Sequence, residues 1–256
     1  MASILGISGS PVHDSNTDRV VRAVLGASGL DSEFVKLSAI SVDPCRACKA
    51  CVDDNVCKVR DDFPALAERV KSAGALVIGG YTPYGMLDAF TKAFLERLWS
   101  MRHVNNLNRS KLVVTVVTGL TVRGVDLASE MIAQEMRMER MEVMGQIKVN
   151  GNVPCLTYGH GDACEMSAVR MLYGKEARAS VDHCVRAEDQ PDVWDSALRL
   201  GRLLGDRVRA GQVGPNGPLK QRIPVWSIPS MIAMMARTRL WTKAARKHRA
   251  QLTQQR

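Results

Sequence analysis

The sequence lacks any apolar run of the ~18 residues that a membrane-spanning helix requires. Its first residues, Met1 to Gly6, carry no basic segment followed by a cleavage site, so no secretory signal is predicted. Internal repeats and low-complexity tracts are also absent. We therefore expect a cytoplasmic globular protein, and in that compartment seven cysteines are expected to be ligands or reduced thiols rather than disulfides.

Two common nucleotide-binding signatures are missing as well. The loop from Ser8 to Thr17 has neither the Lys-Ser/Thr of a triphosphate-binding loop nor the G-x-G-x-x-G of a dinucleotide fold, and no nicotinamide signature is evident elsewhere. The loop offers instead four hydroxyls and free backbone N–H groups at a predicted helix N-terminus, which suit a phosphate monoester. Taken alone, the loop is equally consistent with an ordinary Ser-rich helix cap.

What the chain has in abundance is closely spaced cysteine. Four of its seven cysteines lie within thirteen residues, as Cys45-x2-Cys48-x2-Cys51-x5-Cys57. A [4Fe-4S] cluster needs four thiolates around a compact body, and three closely spaced cysteines can wrap one side while a fourth closes the other. Zinc ribbons usually pair two C-x2-C knuckles across a longer gap. The spacing favours an iron–sulfur cluster, with zinc or free thiols as the alternatives.

The formal net charge of +9 would also suit a nucleic-acid-binding protein. We do not expect a nucleic-acid partner, because a cluster held by four thiolates brings about −2 in its oxidised form and a bound phosphate adds further negative charge.

Short apolar runs alternate with helical patterns along most of the chain. Strands are predicted at 3–8, 33–37, 75–80, 111–118 and 143–149, and helices at 16–25, from 61 or 62 onward, 87–101, 125–140 and 191–208. This order predicts an α/β fold with a doubly wound five-stranded parallel sheet and helices on both faces. Ligands of such sheets bind beyond the carboxyl ends of the strands, so we expect the site in the loops after the first, third and fourth strands.

The loop after the third strand, Gly80 to Met86, supplies a Pro-rigid turn and an aromatic ring that can pack against a flavin edge. With the motifs S-G-S-P…S-N-T and T-P-Y-G…K-x-F-x-E-R, the chain resembles the flavodoxin-like NAD(P)H-dependent FMN reductase superfamily. With the four cysteines included, it resembles the iron–sulfur flavoprotein branch. The resemblance covers about residues 3–150.

This resemblance implies two cofactors, FMN and a [4Fe-4S] cluster, and a residue set for each. The FMN phosphate would be held by Ser8, Ser10, Pro11, Ser15, Asn16 and Thr17. The flavin ring would be lined by Thr82, Pro83, Tyr84 and Gly85 on one side and by Thr118 and Gly119 on the other, with Arg123 and Gly124 nearby. The cluster would be bound by Cys45, Cys48, Cys51 and Cys57.

The chain departs from the family pattern at three places. Val12 stands where an Arg is usual, Glu96 stands where Asp is common, and the T-P-Y-G loop is a residue short. The missing Arg should weaken phosphate affinity only modestly, because backbone N–H groups and hydroxyls provide most of such a site. The stretch with Lys92, Phe94 and Arg97 has the spacing of an amphipathic helix, so its side chains are interpreted as scaffold.

The function that follows is electron relay between cluster and flavin, as an electron carrier or as a reductase of an unidentified small acceptor. The resemblance implies ferredoxin-like or other redox proteins as donors, and a cluster that faces the FMN of a neighbouring subunit in a homodimer or dimer of dimers. One alternative is an NAD(P)H-dependent FMN or quinone reductase without a cluster. Another is a non-catalytic binding module that uses the basic C-terminal tail.

The remainder of the chain is less informative. Cys155, Cys164 and Cys184 are interpreted as free or substrate-pocket thiols rather than a second metal site. Residues 1–210 are predicted to form the FMN-binding domain with the cysteine loop at 45–57, and 211–256 a linker with a basic amphipathic extension. We expect the extension to pack on a neighbouring subunit; docking of an acidic redox partner and peripheral contact with an anionic membrane are the alternatives.

Overall fold

The fold, from a computed structural model that describes residues 4–157 and 160–211, is built on one parallel sheet. The strands are β1 (Ile4–Ser8), β2 (Ser32–Lys36), β3 (Ala75–Tyr81), β4 (Leu112–Gly119) and β5 (Glu142–Asn150). The helices are α1 (Asn16–Ala27), α2 (Phe63–Ser72), α3 (Ala89–Leu98), α4 (Val122–Met138), α5 (Ala168–Tyr173) and α6 (Pro191–Arg209). The strand order is β2-β1-β3-β4-β5, which is the flavodoxin-like order, so the predicted fold class is confirmed.

The strands have continuous apolar sequences because both faces of the sheet are covered. On β3, Leu76 and Ile78 pack with α2, α3 and α4, whereas Ala75 and Val77 pack with α1 and α6. All four side chains are fully buried. Two core layers therefore hold the sheet, and its carboxyl edge is left for loops.

Several element ends differ from the sequence-based prediction because side chains cap helices. Helix α4 begins at Val122 rather than 125, since the Thr121 hydroxyl accepts a hydrogen bond from the Gly124 N–H. Helix α3 ends at Leu98 and passes into a 3₁₀ turn at Trp99–Met101. The short helix α5 had no predicted counterpart.

Two earlier expectations concern other parts of the chain. The predicted linker and basic extension at 211–256 lie outside the described residues, apart from Gly211. In the ranges 4–157 and 160–211, no helix combines the length and apolar character needed to cross a membrane.

Candidate functional site

The first loop leaves β1 at Ser8 and is organised around a buried carboxylate. The Ser8 hydroxyl donates to Asp18 Oδ1 at 2.6 Å, and the Ser10 N–H donates to Ser8 Oγ at 3.3 Å. Lys36 Nζ lies 2.5 Å from Asp18 Oδ2 and 2.7 Å from the carbonyl oxygen of Val12. The Lys36 ammonium therefore contacts the loop in which Val12 stands where the family usually has Arg.

Lys36 was not among the residues predicted from sequence. It lies 24 positions after Val12, at the carboxyl end of β2, where the parallel register pairs it with Ser8. Its position at the end of a strand could have identified it, because the last residues of neighbouring parallel strands lie side by side.

The start of α1 presents the donors that an anion needs. Ser15 caps the helix in a capping box with Asp18, so its hydroxyl accepts from the Asp18 N–H at 3.1 Å. The backbone N–H groups of Asn16 and Thr17 have no protein partner within the described residues. Unpaired N–H groups at a helix N-terminus, with the aligned peptide dipoles behind them, form an anion-binding position.

The side chain of Asn16 is directed elsewhere, toward the segment after β5. Its amide donates to the Val185 carbonyl at 2.8 Å and accepts from the Ala187 N–H at 3.1 Å. Asn152 pairs with Val185 in both directions, at 3.1 and 2.6 Å. The backbone of Asn16, rather than its side chain, is thus available to a phosphate. Half-buried free thiols in the segment are Cys155, Cys164 and Cys184.

The third loop makes a tight turn after β3. Tyr84 has a left-handed backbone with φ of 50°, Gly85 follows with φ of 75°, and the Met86 N–H donates to the Pro83 carbonyl at 3.0 Å. A Cβ on Gly124 would lie 2.7 Å from Gly85 Cα, so the turn packs directly on the start of α4. The Tyr84 side chain is fully exposed.

A buried acid joins the third loop to the first. Asp88 caps α3: it accepts from the Tyr81 N–H at 3.0 Å and from the N–H and hydroxyl of Thr91 at 2.7 and 2.8 Å. Burial raises the pKa of this carboxyl above its ordinary value. A Cβ on Gly9 would meet Thr91 Oγ1 at 2.0 Å and Asp88 Oδ1 at 2.6 Å. The two loops are therefore in contact through Gly9, which the sequence did not single out.

The fourth loop, which follows β4, lies at the same carboxyl edge of the sheet as the first and third loops. The Thr17 and Thr118 hydroxyls are 2.8 Å apart, and the Thr82 N–H donates to the Thr118 carbonyl at 3.0 Å. Gly119 packs against Thr82, with 2.1 Å from a built Cβ to Thr82 Oγ1. Arg123 is exposed and has no ion-pair or hydrogen-bond partner among residues 4–157 and 160–211. Except for Arg123, the fourth-loop residues predicted from sequence meet the first and third loops.

The four clustered cysteines lie in the irregular segment between β2 and α2. Cys45 and Cys48 are exposed, and Cys51 and Cys57 are half-buried. Burial raises the pKa of the Cys51 thiol, and the neighbouring thiols of Cys57, Cys48 and Cys45 raise it further. Each of the other three cysteines therefore interacts electrostatically with Cys51. The backbone turns left-handed between them, at Ala47, Lys49 and Asn55.

The four clustered cysteines supply the type of ligand that an iron–sulfur cluster requires. In the part of the chain that the structure describes, no three Cys, His, Asp or Glu side chains are close enough to hold one metal ion. A cluster places its four thiolates around a larger body, and four thiols on one loop are the ligands it requires.

Together these features define a class of protein. A parallel sheet in flavodoxin-like order, with an anion-binding helix start and two Gly-containing loops at its carboxyl edge, is the arrangement of a redox flavoprotein. The sequence profile described as NADPH-dependent FMN reductase matches residues 2–152, and the chain belongs to that family.

The relatives are flavoproteins, and the solved structures share the fold. An iron–sulfur flavoprotein of Methanocaldococcus jannaschii is 28% identical over 163 residues, which cover 61% of this chain and 80% of the relative. One from Methanosarcina thermophila is 28% identical over 152 residues, or 58% of this chain and 78% of the relative. RosB with a bound riboflavin-phosphate intermediate shares the fold at a TM-score of 0.56 and 14% identity, over 92% of this chain and 86% of RosB. A flavone reductase shares the fold at a TM-score of 0.52 and 14% identity, over 82% of this chain and 64% of the reductase.

Proposed function

We propose that this protein is an iron–sulfur flavoprotein that relays electrons between a [4Fe-4S] cluster and FMN. A cluster exchanges single electrons and FMN one or two, so the pair connects one-electron donors with two-electron acceptors. The observation that carries this proposal is the presence of four cysteines on one loop of an FMN-reductase-family chain. The donor is expected to be a ferredoxin-like or other redox protein, and the acceptor a small molecule.

The residues of the first loop and the start of α1 would bind the FMN phosphate. The N–H groups of Asn16 and Thr17 donate to it, and the buried Ser10 adds a hydroxyl. Lys36 neutralises Asp18 below the loop, so that the buried carboxylate does not repel the ligand. The backbone of this region, more than any charged side chain, would therefore set phosphate affinity.

The third and fourth loops would hold the ring. The contact of Gly85 with Gly124 fixes the Pro83–Gly85 turn against α4, and the Thr82–Thr118 hydrogen bond fixes the distance between the two loops. A rigid pair of backbone walls orients a planar ring without a catalytic acid or base.

The protein is also proposed to act as a homodimer or dimer of dimers. Exposed apolar side chains beside both sites support subunit association. They are Val52, Val56, Tyr84, Met86, Trp99, Val104, Leu120 and Val122. Sedimentation analysis tests this directly, since a monomer at micromolar concentration would contradict it.

The test of the function is the absorption spectrum of anaerobically purified protein, with iron, sulfide and FMN assayed on the same sample. About four irons, four sulfides and one FMN per chain are expected. FMN without iron or sulfide would instead favour an NAD(P)H-dependent FMN or quinone reductase, which the family description also suits. Absence of flavin would refute both and return attention to the basic tail as a binding module.

A further inference from the structure

A buried ion pair lies at the base of the cysteine loop. The side chains of Arg97 and Asp61 are only 1% and 2% exposed, and the guanidinium donates to the two carboxylate oxygens at 2.5 and 3.0 Å. The same guanidinium stacks 4.5 Å above the Phe63 ring. Because desolvating two charges offsets most of their attraction, a buried pair is a weak source of stability. The contacts of the Arg97–Asp61 pair with neighbouring residues therefore indicate its role.

The pair connects the two ends of the loop. Arg97 Nη1 donates to the Asp43 carbonyl at 2.9 Å, and the Asp43 N–H donates to Asp61 Oδ2 at 2.9 Å. Asp43 precedes the first of the four cysteines by two residues, and Asp61 follows the last by four. A second link adjoins the first, because Ser41 and Asp62 exchange hydrogen bonds at 2.7 and 2.9 Å.

Arg97 packs on the same core layer as one of the proposed ligand cysteines. Cys57 packs against the core layer that contains Phe63. Arg97 stacks on the ring of Phe63 in that layer. Burial alone would lower the pKa of Arg97, but Asp61 and Cys57 raise it above its ordinary value. The buried Nε–H of Arg97 makes no hydrogen bond within the described residues.

We propose that Arg97 is a positioning residue of the cysteine loop, closing its base with Asp61 before a cluster binds and favouring the reduced cluster by its charge beside Cys57. This inference rests on the proposed cluster function. Reduction adds one electron from a one-electron donor protein, and no bond is broken. A fixed cation near a ligand sulfur stabilises the more negative state, so it raises the reduction potential.

The test uses the full-length protein with Arg97→Gln, which removes the charge, and Arg97→Lys, which keeps it but loses the two-pronged hydrogen bonding. Arg69→Gln is the matched control, because Arg69 pairs with Glu33 away from the loop. In Arg97→Gln the ratio of reduced to oxidised cluster at a fixed potential should fall about tenfold, equivalent to about 59 mV for one electron, in an EPR-monitored redox titration. Arg97→Lys should retain most of the potential, and Arg69→Gln all of it.

A second readout needs no cluster. Amide hydrogen exchange over residues 41–62 of the apoprotein should be about tenfold faster in both Arg97 variants and unchanged in Arg69→Gln, because the base of the loop is opened. Wild-type exchange and wild-type potential in Arg97→Gln would overturn the inference. Equal loss of potential in Arg97→Lys and Arg97→Gln would overturn its electrostatic part. A wild-type protein without iron and sulfide would refute the proposed function, while the exchange rates would still decide the closing role of Arg97.

Discussion

Substitution of Gly9 by alanine should separate the first loop from the third and weaken FMN binding. The added methyl would lie 2.0 Å from Thr91 Oγ1 and 2.6 Å from Asp88 Oδ1. Thr91 cannot rotate away freely, since its hydroxyl donates to the Asp88 carboxylate and to the Gly79 carbonyl at 2.8 and 3.3 Å. Asp88 is fully buried and cannot move into solvent. The loop itself must therefore shift.

The magnitude follows from these contacts. Overpacking of a rigid interior by one methyl costs about 1–3 kcal/mol, and each hydrogen bond given up adds about 1 kcal/mol. We expect the free energy of unfolding of apoprotein to fall by about 3 kcal/mol. Displacement of the N–H groups that would face the phosphate should weaken FMN by at least about tenfold, or about 1.4 kcal/mol.

Urea unfolding of apoprotein and fluorescence titration with FMN measure the two effects. Gly26→Ala is the control, because this exposed position in α1 has no atom within 4 Å of the added methyl. It should stabilise the protein by about 0.5–1 kcal/mol and leave FMN affinity unchanged. The reasoning would be refuted by a Gly9→Ala variant that unfolds at the wild-type midpoint and binds FMN with wild-type affinity.

Four further expectations concern the two cofactors and one buried lysine. Cys48→Ser should abolish the cluster and leave FMN bound, and Ser10→Asp should eject FMN and leave the iron; undiminished FMN in Ser10→Asp would make the first loop only a helix cap. Lys36→Met should weaken FMN at least about tenfold by leaving the Asp18 carboxylate without a counter-charge, and adding Asp18→Asn should restore most of the affinity; the absence of such rescue would exclude this charge effect. Burial lowers the pKa of Lys111 to about 8 from 10.5, so the unfolded chain binds more protons between these values. The free energy of unfolding should therefore rise by about 3 kcal/mol over that pH window relative to Lys111→Met, in denaturant titrations at each pH, and a flat difference would contradict it.

The fold was predictable because the local patterns were strong. The Val-rich run of β4 and the apolar run of β3 are buried on both faces, which removes the alternation that makes strands ambiguous. Helix ends were less predictable, since they depend on single side chains such as Thr121 that cap from outside the periodic stretch.

The candidate site was only partly accessible to sequence reasoning. Motifs identified the loops, but not the residues that hold them in place. Lys36, Asp88 and Gly9 act through register and close approach, which appear only when separate strands are brought side by side. Arg97 was interpreted as scaffold because its helical spacing is the same whether it packs on a core or pairs beneath a loop.

Two asparagines attach the segment after β5 to the sheet edge by hydrogen bonds to the backbone of Val185. Asn16 and Asn152 secure its returning end to the sheet edge through backbone groups, so the attachment does not depend on which side chains lie between. Val153 and Val169 are buried, yet neither belongs to the two core layers. We therefore expect side chains between residues 160 and 184 to be exchangeable with little loss of stability in the sheet.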